Sequence, residues 1–169
     1  MIGTNEAASD FQLVQSFVSS CRFDNRLISI GSDTVLTNKA EVSVSKQFLN
    51  ENKTLRLAYV RIVVSGNLAV EEQKEARCDY EMTIEGQFSG PATISEEQFN
   101  QQLWINGASV LYGILRAKME VFSSTIFNDG KITLPLINMI QLVKKQSEDV
   151  EAQTTGNPIS PSKDKKVSQ

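Results

Sequence analysis

The chain has 169 residues, a net charge of −3, 40% hydrophobic and 22% charged residues, and no histidine. That length suits one domain whose core needs neither disulfides nor metals, and the mildly acidic balance excludes the clustered Lys/Arg on which nucleic-acid and anionic-membrane binding rest. Without histidine, Ser/His and Cys/His nucleophile–base pairs and His-containing metal sites are ruled out, so an enzyme is not expected and no cofactor or metal is called for.

Residues 1–9 are small and polar and read as a flexible N-terminus, without the basic and apolar regions of a secretion signal. No apolar run approaches the roughly 20 residues of a membrane span. A cytoplasmic protein with no membrane insertion is expected. Cys21 and Cys78 lie in strand-like runs and read as small buried thiols in a reducing compartment, with a disulfide as the minor alternative.

From Phe11 the chain alternates. Phe11, Leu13, Phe17, Cys21 and Phe23 fall on one face and Val14 and Val18 on the other, which predicts a long first strand with a bulge near Gln15. Residues 26–37 form a crossover with Gly31 and Asp33 as turn residues. Glu41–Phe48 is a second strand, followed by a turn at 50–53. Leu55–Leu68, rich in β-branched residues on both faces, is a third and central strand. After a charged turn at 70–75, Ala76–Phe88 alternates most cleanly: Ala76, Cys78, Tyr80, Met82, Ile84 and Phe88 against Arg77, Asp79, Glu81, Thr83, Glu85 and Gln87. Four strands with short connections imply an antiparallel sheet with one solvated face.

Gly90-Pro91 closes the sheet. Ser95 with Gln98 is a capping-box pattern, so a helix starts near Glu96, and Asn106-Gly107 is expected to break or kink it. Between Ala108 and Ile126 the apolar residues leave only a narrow polar stripe of Ser109, Gly113, Arg116, Glu120 and Ser123. A helix apolar nearly all round is buried nearly all round. One sheet covers one side of it, so a second copy is expected on the other, at Val110, Leu111, Ile114, Leu115, Met119 and Phe122. Ser109 and Gly113 would let the partner backbone approach.

After a turn at 128–130, Leu134 is extended because it precedes a proline, and Pro135 is predicted at the first position of a last helix. Leu136, Met139, Ile140 and Val143 then share one face, with Ile137 beside them, and Lys144 and Lys145 suit its C-terminus. That stripe reads as core packing or as a lid over an apolar groove. Residues 147–169 have the Pro/Gly/Ser/Thr/Lys composition of a disordered tail, with Lys163, Lys165 and Lys166 solubilising it. The carboxylate pairs Glu71/Glu72, Asp79/Glu81 and Glu96/Glu97 read as solvated or dipole-compensating groups. No Gly-rich phosphate loop is present.

Read end to end, residues 10–146 resemble the SecB family of export chaperones and SecB-like proteins. Phe11-Gln12-Leu13 and Phe23-Asp24 look like the two ends of that family's first strand. Leu57 to Gly66 is similar to its Val-rich third strand, and Glu85-Gly86-Gln87-Phe88 to the close of its fourth. Leu103 to Arg116 matches its long helix without a gap, and Ile132 to Met139 its Leu-x-Leu-x-Pro-Val-Asn-Phe approach to the last helix.

The resemblance implies an α+β fold, with a four-stranded antiparallel sheet and a long and a shorter C-terminal helix packed on one face. It also implies assembly as a dimer of dimers, a homotetramer. The implied activity is ATP-independent holding of unfolded or partly folded client proteins in apolar grooves, keeping them competent for export. The implied groove residues are Leu27, Ile28, Ile30, Val35, Leu36, Leu49, Leu136, Ile137 and Ile140.

Asp24 and Glu81 match acidic positions through which family members contact SecA. Ser20 replaces an acid, however, Asp79 replaces an apolar residue, and Gly113 stands where the long helix often has proline. SecA as a partner is therefore left open. The alternative is a solitary SecB-like chaperone dedicated to a single client, such as an antitoxin of a toxin–antitoxin system, without SecA-linked export. A third reading is a structural homo-oligomer whose apolar surface is wholly self-satisfied.

Overall fold

A computed structural model describes residues 10–26, 36–49, 54–70, 73–127 and 130–145. Of the expected crossover at 26–37, residues 27–35 lie outside the described residues, and β2 already begins at Leu36. The expected turn at 70–75 is shorter, since β3 runs to Val70 and β4 starts at Gln73; residues 50–53, 71–72 and 128–129 and both termini also lie outside the described residues. Four strands, β1 (Gln12–Asn25), β2 (Leu36–Phe48), β3 (Leu55–Val70) and β4 (Gln73–Pro91), form one sheet in the order β1-β4-β3-β2, every neighbouring pair antiparallel. Helix α1 (Glu96–Gln102) runs through a π turn (Leu103–Gly107) into α2 (Ala108–Ser124). A short last helix, α3, occupies 139–145.

β4 follows its alternation. Cys78, Tyr80, Met82, Ile84 and Phe88 are all buried, together with Ala58, Val60, Ile62 and Val64 from β3. β1 does not keep a single alternation. Two bulges, between Leu13 and Gln15 and between Val18 and Ser20, change its phase twice, so Leu13, Val18 and Phe23 pair with core-facing Phe88, Ile84 and Tyr80. Each bulge adds a residue and swaps which side chains face inward. Phe17 therefore lies opposite Glu85 on the outer face, 43% exposed. Cys21 stands opposite buried Met82, on the inner face as its alternation predicts, but is exposed rather than buried. Both cysteines are free.

Gly66 is required by a close approach. A Cβ there would stand 2.2 Å from the Lys39 carbonyl oxygen and 2.6 Å from the Tyr80 hydroxyl. That hydroxyl lies across the glycine and donates to Asn38 Oδ1 at 2.8 Å.

The capping box forms as expected: Ser95 Oγ accepts from the Gln98 amide, and the Gln98 side chain accepts from the Ser95 amide, each at 3.1 Å. The expected break at Asn106-Gly107 does not occur. The helix widens by one residue instead, with the Ala108 amide bonding the Leu103 carbonyl. That extra residue keeps Phe99 and Leu103 on the same sheet-facing side as Ala108, Leu111, Leu115 and Met119, all of them 0% exposed. At its open end the core is closed by Phe11, stacked on Phe88 with centroids 5.3 Å apart and edge-on to Phe99 at 5.9 Å. Lys46 of β2 bonds Asn100 and lies over the rings of Phe48 and Trp104, at 5.0 and 4.9 Å from their centroids, tying α1 and the π turn to β2. Burial pulls its amine below the ordinary lysine range, while nearby Glu96 opposes that.

Candidate functional site

Residues 130–138 are neither strand nor helix, and the helix expected from Pro135 starts later. Asn138 caps α3: its side-chain oxygen accepts from the Gln141 amide at 3.2 Å and its carbonyl from the Leu142 amide at 3.0 Å. Upstream, the backbone is held by one face of α2. Ser123 Oγ accepts from the Ile132 amide at 2.8 Å, Arg116 Nε donates to the Leu134 carbonyl at 2.9 Å, and Tyr112 Oη donates to the Pro135 carbonyl at 2.8 Å. Lys131 pairs with Glu120. These are the partners that a backbone without strand or helix ladder must find. They also explain the delayed helix, because residues 132–135 are tied down as an extended strap along α2. Burial pushes the Tyr112 hydroxyl up from its ordinary value, against the pull of Arg116, which keeps it a donor.

Ile132 and Leu134 turn inward, each 1% exposed, while Lys131, Thr133 and Pro135 face out. Leu136 does not continue the alternation and is 85% exposed. The single face expected for Leu136, Met139, Ile140 and Val143 is therefore divided. Met139 is buried, Ile137 packs against the core, Val143 is half-buried, and Leu136 and Ile140 look outward.

Of the groove residues expected from sequence, the structure brings Leu136, Ile137 and Ile140 into one short stretch. Leu49 is half-buried at the far end of β2, its amide bonding the Leu57 carbonyl at 2.9 Å. Leu36 opens β2 and is described by its backbone alone. Leu27, Ile28, Ile30 and Val35 lie outside the described residues.

The residues expected to meet a second copy also divide. Leu111, Leu115 and Met119 are fully buried in the chain's own core, and Leu111 packs over Gly86 of β4. Ile114 is half-buried, while Val110 and Phe122 are exposed. The polar stripe does not face solvent as a whole. Arg116, Glu120 and Ser123 hold the strap. The exposed residues of α2 are Ser109, Val110, Gly113, Ala117, Val121, Phe122 and Ser124, none of them charged. A surface helix ordinarily turns charged residues outward. Sequence reasoning missed the strap-holding role of this stripe, although Arg116, Glu120 and Ser123 already stood at the spacing of one helical face.

On the outer sheet face, Asp24 pairs with Arg26 at 2.9 Å and Asp79 with Arg77 at 3.1 Å. Arg22 stands opposite Glu81 in the strand register. The Arg26 guanidinium holds the Asp24 carboxyl below the usual carboxylate range, aided by Arg22 and Arg77. The acidic positions are thus interleaved with arginines. Among the described residues no group of His, Cys, Asp and Glu could hold a metal ion, and no described helix is long and apolar enough to cross a membrane.

No family model matches the chain, and no curated protein matches it by sequence. Solved structures do. The Mycobacterium tuberculosis SecB-like chaperone Rv1957, in complex with a ChAD peptide from the Rv1956 HigA1 antitoxin, superimposes with a TM-score of 0.55 at 10% identity, covering 76% of this chain and 91% of the other. A Streptococcus agalactiae protein of unknown function gives a TM-score of 0.46 at 14% identity, covering 75% and 97%. The four-stranded antiparallel sheet with its long and short helices is a SecB-like fold.

Proposed function

We propose that the chain is a SecB-like chaperone that binds unfolded or partly folded clients without ATP and without catalysis of its own. The observation that carries this reading is the pair Leu136 and Ile140, 85% and 45% exposed at the end of the strap and on α3, while neighbouring Ile132, Leu134 and Met139 are buried. Large apolar side chains held out on a tied-down segment suit a surface that captures apolar client segments. The same fold in a chaperone solved with an antitoxin peptide supports peptide holding as the activity. The uncharged outward face of α2 supports self-association, with a homotetramer as the expected assembly and the cytoplasm as the expected location.

Of the two client regimes, a dedicated client such as an antitoxin is favoured over SecA-linked export. The outer sheet face supports this, because Asp24, Asp79 and Glu81 are balanced by Arg26, Arg77 and Arg22, which leaves no acidic patch there among the described residues for a SecA-type partner to read. A stoichiometric mixture with a chemically denatured client tests the activity. Suppressed aggregation is expected, and an unaltered aggregation rate refutes the chaperone reading. Calorimetry with SecA at low salt separates the two regimes: measurable binding restores the export reading.

A further inference from the structure

We propose that Tyr112 and Arg116 are positioning residues of the client site, whose joint grip on two successive carbonyls turns Leu136 outward as its anchoring side chain. The inference rests on the chaperone reading above. In an extended chain, successive side chains and successive carbonyls point to opposite sides. Ile132 and Leu134 obey this pattern, facing inward at 1% exposure each, so Leu136 is the next residue due inward. Instead, the carbonyls of Leu134 and Pro135 both bond to side chains of α2, at 2.9 Å to Arg116 Nε and 2.8 Å to Tyr112 Oη. Positions 112 and 116, four apart, lie on the same face of a helix. Two neighbouring carbonyls drawn to one helix face cannot belong to a regular extended chain. The backbone therefore leaves that geometry between Leu134 and Pro135, and the inward alternation is lost at the next residue. Leu136 comes out 85% exposed. Proline reinforces the device by fixing its own φ and keeping Leu134 out of the α region. Asn138 then starts α3 immediately afterwards, so the outward residue stands between two fixed points, which limits the entropy lost when a client is bound.

The test is fluorescence-anisotropy binding of the full chain to reduced, carboxymethylated α-lactalbumin, a permanently unfolded probe. Leu136→Ala is expected to weaken binding about tenfold. Tyr112→Phe, which removes one hydroxyl at constant shape, and Arg116→Gln are each expected to weaken it about threefold to fivefold, with unchanged oligomeric mass. Arg116→Lys, which keeps a donor on a long stem, is expected to recover most of the loss. The decisive arm is the Leu136→Ala background, where Tyr112→Phe and Arg116→Gln should have no further effect, since residues acting through Leu136 cannot act without it. If Arg116→Gln fails to fold, Tyr112→Phe alone carries the comparison. Full wild-type affinity in Tyr112→Phe, or an undiminished effect in the Leu136→Ala background, overturns the positioning role while leaving the chaperone reading intact. A wild-type chain that neither binds the probe nor suppresses client aggregation overturns both, and one that suppresses aggregation without binding the probe overturns the anchoring role of Leu136 alone.

Discussion

Val121→Asp should dissociate the assembly without unfolding the protomer. Full burial of a Val or Phe side chain is worth about 1.5–3 kcal/mol. The exposures of Val110, Val121 and Phe122, 49%, 64% and 40%, scale this to about 1 kcal/mol each still available to a partner. A twofold contact uses every residue twice, so the three together supply roughly 6 kcal/mol to the pair. Val121→Asp removes about 2 kcal/mol of that and places two unpaired carboxylates in the contact, at a further cost of several kcal/mol. The dissociation constant should rise by at least about a thousandfold. In the isolated protomer the same change lies on an exposed helix face, where Val and Asp have nearly equal helix propensity and a carboxylate near the helix C-terminus costs about 0.5 kcal/mol. Sedimentation velocity across a micromolar loading series reads the mass, and urea denaturation of the same samples reads the fold. A variant with the wild-type mass and concentration dependence, or a wild type that sediments as a protomer, refutes the assignment of this face.

Leu115→Asp, at a position the sequence places among those meeting a second copy, should behave differently. With Leu115 at 0% exposure in the protomer core, burying an unpaired charge costs about 3–5 kcal/mol, and the cooperative thermal transition by circular dichroism should be lost rather than the oligomer alone. Gly66→Ala should lower stability by about 2–4 kcal/mol in urea titrations, combining overpacking with displacement of the Tyr80–Asn38 hydrogen bond; an unchanged midpoint would contradict the close approach described. Burial pushes the Tyr80 hydroxyl up to about 12 and the Cys78 thiol up to about 11, from ordinary values of 10.0 and 9.0. The unfolded chain therefore loses these protons first, the folded chain holds more of them, and stability declines as pH rises from about 9 to about 12. Tyr80→Phe should flatten that decline above pH 10 in pH-stepped urea titrations, and an unaltered slope would argue against Tyr80 as a source.

Where a single local rule governed a segment, its structure was legible in the residues alone. The alternation of Cys78 to Phe88 survives because β4 has a neighbour on both sides and no bulge in that span. Ser95 and Gln98 form their box because a cap depends only on residues three apart. The four-stranded fold class with two helices followed from such segments taken in order. β1 was misread at Phe17 because its two bulges depend on pairing with β4, which leaves no mark in its own alternation.

The candidate site divides along the same line. Composition established that no histidine is available for catalysis, and residue order established that α2 carries more apolar surface than one side of a sheet can cover and that a proline keeps Leu134 extended. Which apolar residues face the sheet was decided by tertiary structure. The π turn at Leu103–Gly107 sets the rotation of α2, sending Leu111, Leu115 and Met119 inward and leaving Val110, Val121 and Phe122 outside. The strap required the whole fold as well. Leu136 follows the spacing of a buried helical stripe, but its backbone neighbours are bonded by Tyr112 and Arg116, 23 and 18 residues away, and the helix starts only after the Asn138 cap. Periodicity records what a segment prefers by itself, whereas exposure depends on backbone partners contributed by distant parts of the chain.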